Sequence, residues 1–250
     1  MRKPIIAASA RIGAILLGTL LICGGAIAEE GGLAPANTRV DNIASLQRGA
    51  RLFFNYCSGC HSLKYVRYSR LAEDLQLSEE DVLSSFAFTG AKIGDLAVSN
   101  MPEAKAADWF GKAPPDLSVE ARAKGPDWIY NYLKSFYLDE TRPVGWNNTV
   151  FPGASMPNVL WELQGAQRAV FAKAKPGEDA RVEKFETTIP GRQSAAEFDE
   201  SARDLTAFLE YVGEPAKLKR ESMGVWVILY LGFFTFLAWL LKHEYWKDVH

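Results

Sequence analysis

The sequence has few of the side chains that usually bind metal ions or cross-link a fold. Its 250 residues include only three cysteines and three histidines. Three cysteines are too few for the disulfide framework of a small secreted domain, and three histidines are too few for a histidine-rich metal site. Internal repeats and low-complexity tracts are also missing. The formal net charge of −2 gives no reason to expect a nucleic-acid partner.

Two of the three cysteines belong to one short motif. Cys57, Cys60 and His61 form the pattern C-x-x-C-H, which is typical of covalent c-type haem attachment. Two cysteines three residues apart on a helical turn point the same way, so both reach the porphyrin while the adjacent imidazole reaches the iron. A zinc site would need two further ligands, and a thiol redox motif needs no following histidine. The motif therefore predicts one covalently attached haem c, with His61 as an axial ligand.

The second axial ligand has two candidates. His61 is the only histidine before residue 243, so methionine is the leading residue type. One of the four methionines is the first residue and another borders an apolar stretch, which leaves Met101 and Met156. We favour Met156, because Pro152 and Pro157 would make its loop rigid, and Met101 stays open as the alternative. Ligation by histidine and methionine raises the reduction potential and favours electron transfer over oxygen chemistry.

Both ends of the chain carry membrane signals. Residues 1–28 have the basic start, apolar run and small-residue end of a secretory signal peptide. Residues 224–241 contain no charge and, as a helix, would extend about 27 Å, enough to cross a bilayer core. We therefore expect an exported haem domain at 29–221, a transmembrane helix at 222–242 and a cytoplasmic tail at 243–250. This arrangement places the haem domain in the periplasm, on a bacterial inner membrane.

The pattern between the two ends indicates a mostly α-helical domain with long loops. Apolar residues at helical spacing predict helices, and proline and glycine mark loops. The predicted helices are at 46–57, 127–137 and 201–212, a short strand is predicted at 182–189, and the predicted loops are at 111–115, 143–145 and 151–157.

Four stretches extend the pattern well beyond the haem motif. They are RGARLFFNYCSGCHSLKYVRYSRL at 48–71, APPDLS at 113–118, FPGASMPNVL at 151–160 and FLEYVGEP at 208–215. In this order they resemble the cytochrome c1 family, the haem subunit of respiratory complex III (ubiquinol–cytochrome c reductase). The haem motif alone is common to many cytochromes, whereas this ordered set is highly specific. The fold implied is a cytochrome c-like haem domain with one C-terminal transmembrane helix.

The resemblance also implies roles for individual residues and partners for the chain. The implied site residues are Cys57 and Cys60 for haem attachment, His61 and Met156 as axial ligands, Pro114 and Pro115 as a wall of the haem pocket, and Arg122 facing a haem propionate. The implied reaction is a one-electron relay from a Rieske iron–sulfur protein to a cytochrome c, beside a cytochrome b subunit and in membrane lipid. No side chain of this chain is expected to perform acid–base or nucleophilic chemistry.

Two other functions fit the same haem motif. One is a tethered electron shuttle that serves a terminal oxidase, although an uncleaved N-terminal helix on a flexible linker would be the simpler anchor for it. The other is a haem-based sensor or gas-binding module, which needs an open or labile sixth coordination position.

Acidic stretches such as 79–81 and 197–200 would attract a basic protein partner.

Overall fold

The computed structural model describes residues 32–172 and 182–248, and the predicted signal peptide at 1–28 lies outside them. The chain divides into two units at residues 1–33 and 34–250, and the second unit is the one described below. About half of it is helical, so the predicted mostly α fold is confirmed.

The described residues form nine α-helices, one π-helical turn and six β-strands. The helices are α1 (Ile43–Leu52), α2 (Tyr68–Leu75), α3 (Glu79–Phe86), α4 (Glu103–Phe110), α5 (Glu120–Lys124), α6 (Pro126–Lys134), α7 (Trp161–Gln164), α8 (Ala195–Gly213) and α9 (Lys217–Tyr245), and the π turn is Phe53–Cys57. The strands are β1 (Leu63–Arg67), β2 (Leu96–Ala97), β3 (Phe136–Leu138), β4 (Trp146–Asn148), β5 (Gly165–Phe171) and β6 (Val182–Pro190). They pair as three antiparallel two-stranded sheets, β1 with β2, β3 with β4 and β5 with β6.

Helices α1 and α8 cross at the centre of the domain. A Cβ atom added at Gly49 would lie 2.1 Å from the carbonyl oxygen of Asp204, so only glycine permits this close approach. Around the crossing, Phe54 packs its ring against Phe53 and Phe86, at centroid distances of 5.2 and 4.8 Å. The same buried cluster contains Cys57, so the core of the domain also holds the start of the haem motif.

A buried acidic side chain also joins these two helices. Asp204 on α8 accepts hydrogen bonds from the Ser45 hydroxyl and from the Arg48 guanidinium, both on α1. Because a buried carboxylate is stable only with such partners, this contact fixes the register of the two helices.

Most predicted elements are confirmed, and one helix is shorter than predicted. The helix predicted at 46–57 is formed by α1 and the π turn, the one at 201–212 lies within α8, and the strand at 182–189 lies within β6. The predicted C-terminal end of the helix at 127–137 was wrong, because α6 stops at Lys134 and Tyr137 lies in β3. Residues 136–138 pair with β4, which satisfies their backbone groups better than one more helical turn.

The C-terminal helix α9 is long and apolar enough to cross a membrane. It has 29 residues, which correspond to about 43 Å along its axis. Its large apolar side chains are exposed along the whole length, including Trp226 and Phe233. Such a continuous apolar surface is stable in lipid rather than in water.

Candidate haem site

The haem motif begins where α1 changes into the π turn. The N–H of Ser58 donates to the carbonyl of Phe53 at 3.0 Å, which widens the last turn of the helix. In the next turn, the N–H groups of Cys60 and His61 donate to the carbonyl of Cys57 at 3.0 and 2.9 Å. Wide π turns of this kind occur often at functional sites. The three side chains of the motif are therefore held on one hydrogen-bonded turn.

The imidazole of His61 is oriented by a backbone carbonyl. Its Nδ1 atom lies 2.7 Å from the carbonyl oxygen of Pro115, and because a carbonyl only accepts, Nδ1 is the donor. The other ring nitrogen, Nε2, then carries the lone pair. Burial lowers the pKa of His61, although the hydrogen bond to Pro115 acts in the opposite direction. A neutral imidazole with a free Nε2 is the form that binds a metal ion.

The segment that contains Pro115 is hydrogen-bonded to the chain that follows His61. Leu117 N–H donates to the carbonyl of Ser62 at 2.9 Å. The carboxylate of Asp116 accepts from Lys64 N–H at 2.8 Å. These backbone and side-chain contacts of the motif APPDLS fix the Pro115 carbonyl against the imidazole. Pro114, the other predicted wall residue, is half-buried beside it.

The two cysteines of the motif have environments that disfavour thiolates. Neither forms a disulfide in the described structure. Burial raises the pKa of the Cys57 thiol to about 12, and burial also raises the pKa of Cys60. Thiol redox motifs and zinc sites need thiolates, which a lowered pKa favours. Two protonated thiols and an imidazole with a free Nε2 on one turn are the donor set that haem c requires, so the residues present fit this cofactor.

Met156 lies beside an aromatic hydroxyl group. The hydroxyl of Tyr132 donates to the sulfur of Met156, with 3.6 Å between the oxygen and Sδ. Burial raises the pKa of Tyr132 to about 12, so this hydroxyl stays protonated and remains a donor. Met156 itself is half-buried.

The loop that contains Met156 is attached to α6 by one buried amide. Asn148 is fully buried, and its Nδ2 donates to the carbonyl of Tyr132 at 2.8 Å. Its Oδ1 accepts from the N–H groups of Val150 and Phe151 at 2.9 and 3.1 Å. Further along, Leu160 belongs to the same buried cluster as Cys57. The methionine loop and the haem motif therefore share one core.

Aromatic rings support the tyrosine on both sides. Tyr132 stacks on Trp128, with centroids 4.9 Å apart and an angle of 9° between the planes. It meets Phe136 edge to face, also at 4.9 Å. Trp128 and Tyr132 are four residues apart on one face of α6, and Phe136 follows at the start of β3.

The two remaining predicted residues lie at the edge of this site. Met101 follows Ser99, whose hydroxyl donates to the carbonyl of Gly59 at 2.8 Å, so its backbone passes beside the haem motif. Arg122 lies exposed on α5. Its Cγ atom would be 3.2 Å from a Cβ atom placed on Gly213, at the end of α8. A role for Arg122 at a propionate stays a prediction.

Sequence reasoning missed Tyr132, Asn148 and the π turn. The sequence predicted only a helix at 127–137, and the four-residue spacing of Trp128 and Tyr132 was the one further signal available. The carbonyl role of Pro115 was also missed, because its motif suggested a side-chain wall. The roles of Tyr132, Asn148 and Pro115 depend on contacts between residues far apart in the sequence.

Comparison with known proteins identifies the family. Residues 37–249 match the family model described as the Cytochrome C1 family. The chain is 49% identical to cytochrome c1 of Allochromatium vinosum, over 94% of this chain and 98% of the relative. It is 42% identical to the ammonia monooxygenase gamma subunit of Nitrosomonas europaea, over 82% and 84%. Its identity to cytochrome c1 of Rhodospirillum rubrum is 30%, over 94% and 96%. The chain therefore belongs to the cytochrome c1 family, the membrane-anchored c-type cytochromes that carry a covalently bound haem c and transfer electrons in ubiquinol–cytochrome c reductase.

Proposed function

We propose that this chain takes single electrons from a Rieske iron–sulfur protein and passes them to a cytochrome c, as a subunit beside cytochrome b in a bacterial ubiquinol–cytochrome c reductase. The main support is the His61 geometry: the ring donates from Nδ1 to Pro115 at 2.7 Å and keeps Nε2 for a metal ion. This geometry occurs inside a C-x-x-C-H turn of a chain from the cytochrome c1 family.

Each site residue has one task in this proposal. Cys57 and Cys60 would attach the haem, and His61 and Met156 would bind its iron. When bound, the haem iron supplies a one-electron couple. The chain accepts one electron and releases one electron, with no bond made or broken and no proton taken up. Its side chains hold and orient the cofactor, and none acts as acid, base or nucleophile.

The remaining residues of the site complete the pocket. The Pro115 carbonyl keeps the imidazole of His61 in one orientation, and Pro114 lines the pocket beside it. Arg122 would bind a haem propionate from its exposed position on α5, because a guanidinium is well suited to bind a carboxylate.

We further propose that the haem domain lies in the periplasm and that residues 243–250 lie in the cytoplasm. The expected signal peptide at 1–28 would export everything before α9, and α9 would then stop the transfer. Aromatic residues near both ends of α9, Trp226 on one side and Trp239 and Tyr245 on the other, suit the two membrane interfaces.

Purification through an affinity tag on the C-terminal tail, in a mild detergent, tests the function. We expect the chain to keep its haem on a denaturing gel and to co-purify with a b-type cytochrome and a Rieske protein. The complex should reduce added cytochrome c when a quinol is supplied. In a matched variant, Cys57→Ser with Cys60→Ser should leave the chain without covalent haem. Recovery of a haem-containing chain with neither partner would contradict the proposal and favour a tethered shuttle.

A further inference from the structure

One hydroxyl group points at the predicted ligand sulfur. Within the described residues, the Met156 sulfur is the one acceptor within hydrogen-bonding distance of the Tyr132 hydroxyl, at 3.6 Å. Hydrogen bonds to sulfur are longer than those to oxygen because the sulfur atom is larger. The contact therefore joins a donor directly to the atom that would bind the iron.

Asn148 holds the segment that carries the donor, Tyr132, close to the loop that carries the acceptor, Met156. Asn148 holds the backbone of Tyr132 through Nδ2 and the start of the Met156 loop through Oδ1. The phenol ring cannot turn away freely, because Trp128 and Phe136 pack on its two sides. Because both groups are already held in place, the hydrogen bond between them costs little further loss of side-chain conformational freedom.

We propose that Tyr132 is a positioning residue that raises the reduction potential by donating a hydrogen bond to the Met156 sulfur. The inference rests on the proposed role of Met156 as axial ligand. A hydrogen bond draws lone-pair density away from the sulfur and makes it a poorer electron donor. The ferric ion depends more on that donation than the ferrous ion, so the bond favours the reduced state. Hydrogen bonds to the ligands of a metal are a general means of tuning its potential.

The same helix provides a matched control. Tyr130 is also on α6 and is buried. Its hydroxyl contacts the carboxylate of Asp199 on α8, and it accepts from Lys134 Nζ at 2.7 Å. Replacing Tyr130 removes an equivalent hydroxyl from the same helix without touching Met156.

Redox titration of the purified complex tests the inference. In Tyr132→Phe we expect the equilibrium between reduced and oxidised haem to shift towards the oxidised form by about two- to tenfold, the usual effect of one hydrogen bond. The far-red absorption band of ferric methionine ligation should persist, because the methionine remains bound. Tyr130→Phe should leave the potential at the wild-type value.

A second variant changes the strength of the bond without removing it. Fluorotyrosine incorporated at position 132 is a more acidic phenol and therefore a stronger donor, so its potential should rise above the wild-type value. This variant preserves the ring packing against Trp128 and Phe136, so it gives an answer even if Tyr132→Phe folds poorly.

The outcomes separate this inference from the function on which it rests. Wild-type potentials in both position-132 variants, with the far-red band retained, would overturn the tuning role alone. Loss of the band in Tyr132→Phe but not in Tyr130→Phe would also overturn it, because the hydroxyl would then serve only to hold the ligand. A wild-type protein without the band, or one that keeps it after Met156→Leu, would overturn both proposals.

Discussion

At the scale of single residues, a buried amide joins the start of the methionine loop to the helix before it. Asn148 makes three hydrogen bonds from a fully buried position, and they join β4, α6 and the loop. The sequence suggested that prolines made this loop rigid. In the structure, the polar contacts of Asn148 also hold the start of this loop, and no local sequence pattern predicts them.

We predict that Asn148→Ala lowers the free energy of unfolding by about 2–4 kcal/mol, because it removes three part-buried hydrogen bonds and takes the acceptor away from the N–H groups of Val150 and Phe151. Chemical denaturation of the purified chain, followed through its haem absorption, measures the change. Asn100→Ala removes the same amide from an exposed position and should change the stability little. Equal effects of the two substitutions would contradict the role given to Asn148.

At the scale of elements, the longer helices and the tail were predictable and the shorter elements were not. Helices α1 and α8 have enough turns for a clear apolar periodicity, and α9 has a long uncharged run. Helices α2 to α5 and strands β1 to β4 are short, and their backbone is fixed by contacts with distant segments. A contact with a distant segment also ends α6 early, because the pairing of β3 with β4 competes with one more helical turn.

The crossing of α1 and α8 gives a prediction at this scale. In Gly49→Ala the new methyl group would overlap the Asp204 carbonyl, so the helices must separate, at a cost of about 1–3 kcal/mol in unfolding free energy. Because the haem motif follows α1 directly, we also expect less covalent haem in cells. Gly94→Ala is the control, since an added Cβ there has nothing within 4 Å. Wild-type stability in Gly49→Ala would contradict this description of the crossing.

At the scale of the whole molecule, ion pairs join the haem domain to its anchor. Lys217 pairs with Glu210 at 2.8 Å, and Lys219 pairs with Glu73 at 3.2 Å. Arg220 pairs with Glu214. These acids come from α2 and from the end of α8, so the first turn of α9 is held from two sides. The predicted boundary at residue 222 therefore falls inside a continuous helix that starts at Lys217.

This junction gives a prediction about mobility. Replacing Glu73, Glu210 and Glu214 together by Gln frees the three basic side chains, so trypsin should cut at residues 217–220 several-fold faster, roughly as expected when local order is lost. The haem spectrum should not change. Glu103→Gln breaks a pair with Lys64, elsewhere in the domain, and is the control. A triple variant cut at the rate of this control would show that the ion pairs do not hold the junction.

The ferric far-red absorption band of the purified chain is the decisive measurement for the axial ligand, because it reports methionine bound to a covalently attached haem. We predict that Met156→Leu abolishes the band while the haem stays attached through Cys57 and Cys60. Met101→Leu, the matched change at the other candidate, should leave the band intact. A band that survives Met156→Leu and disappears in Met101→Leu would contradict the account.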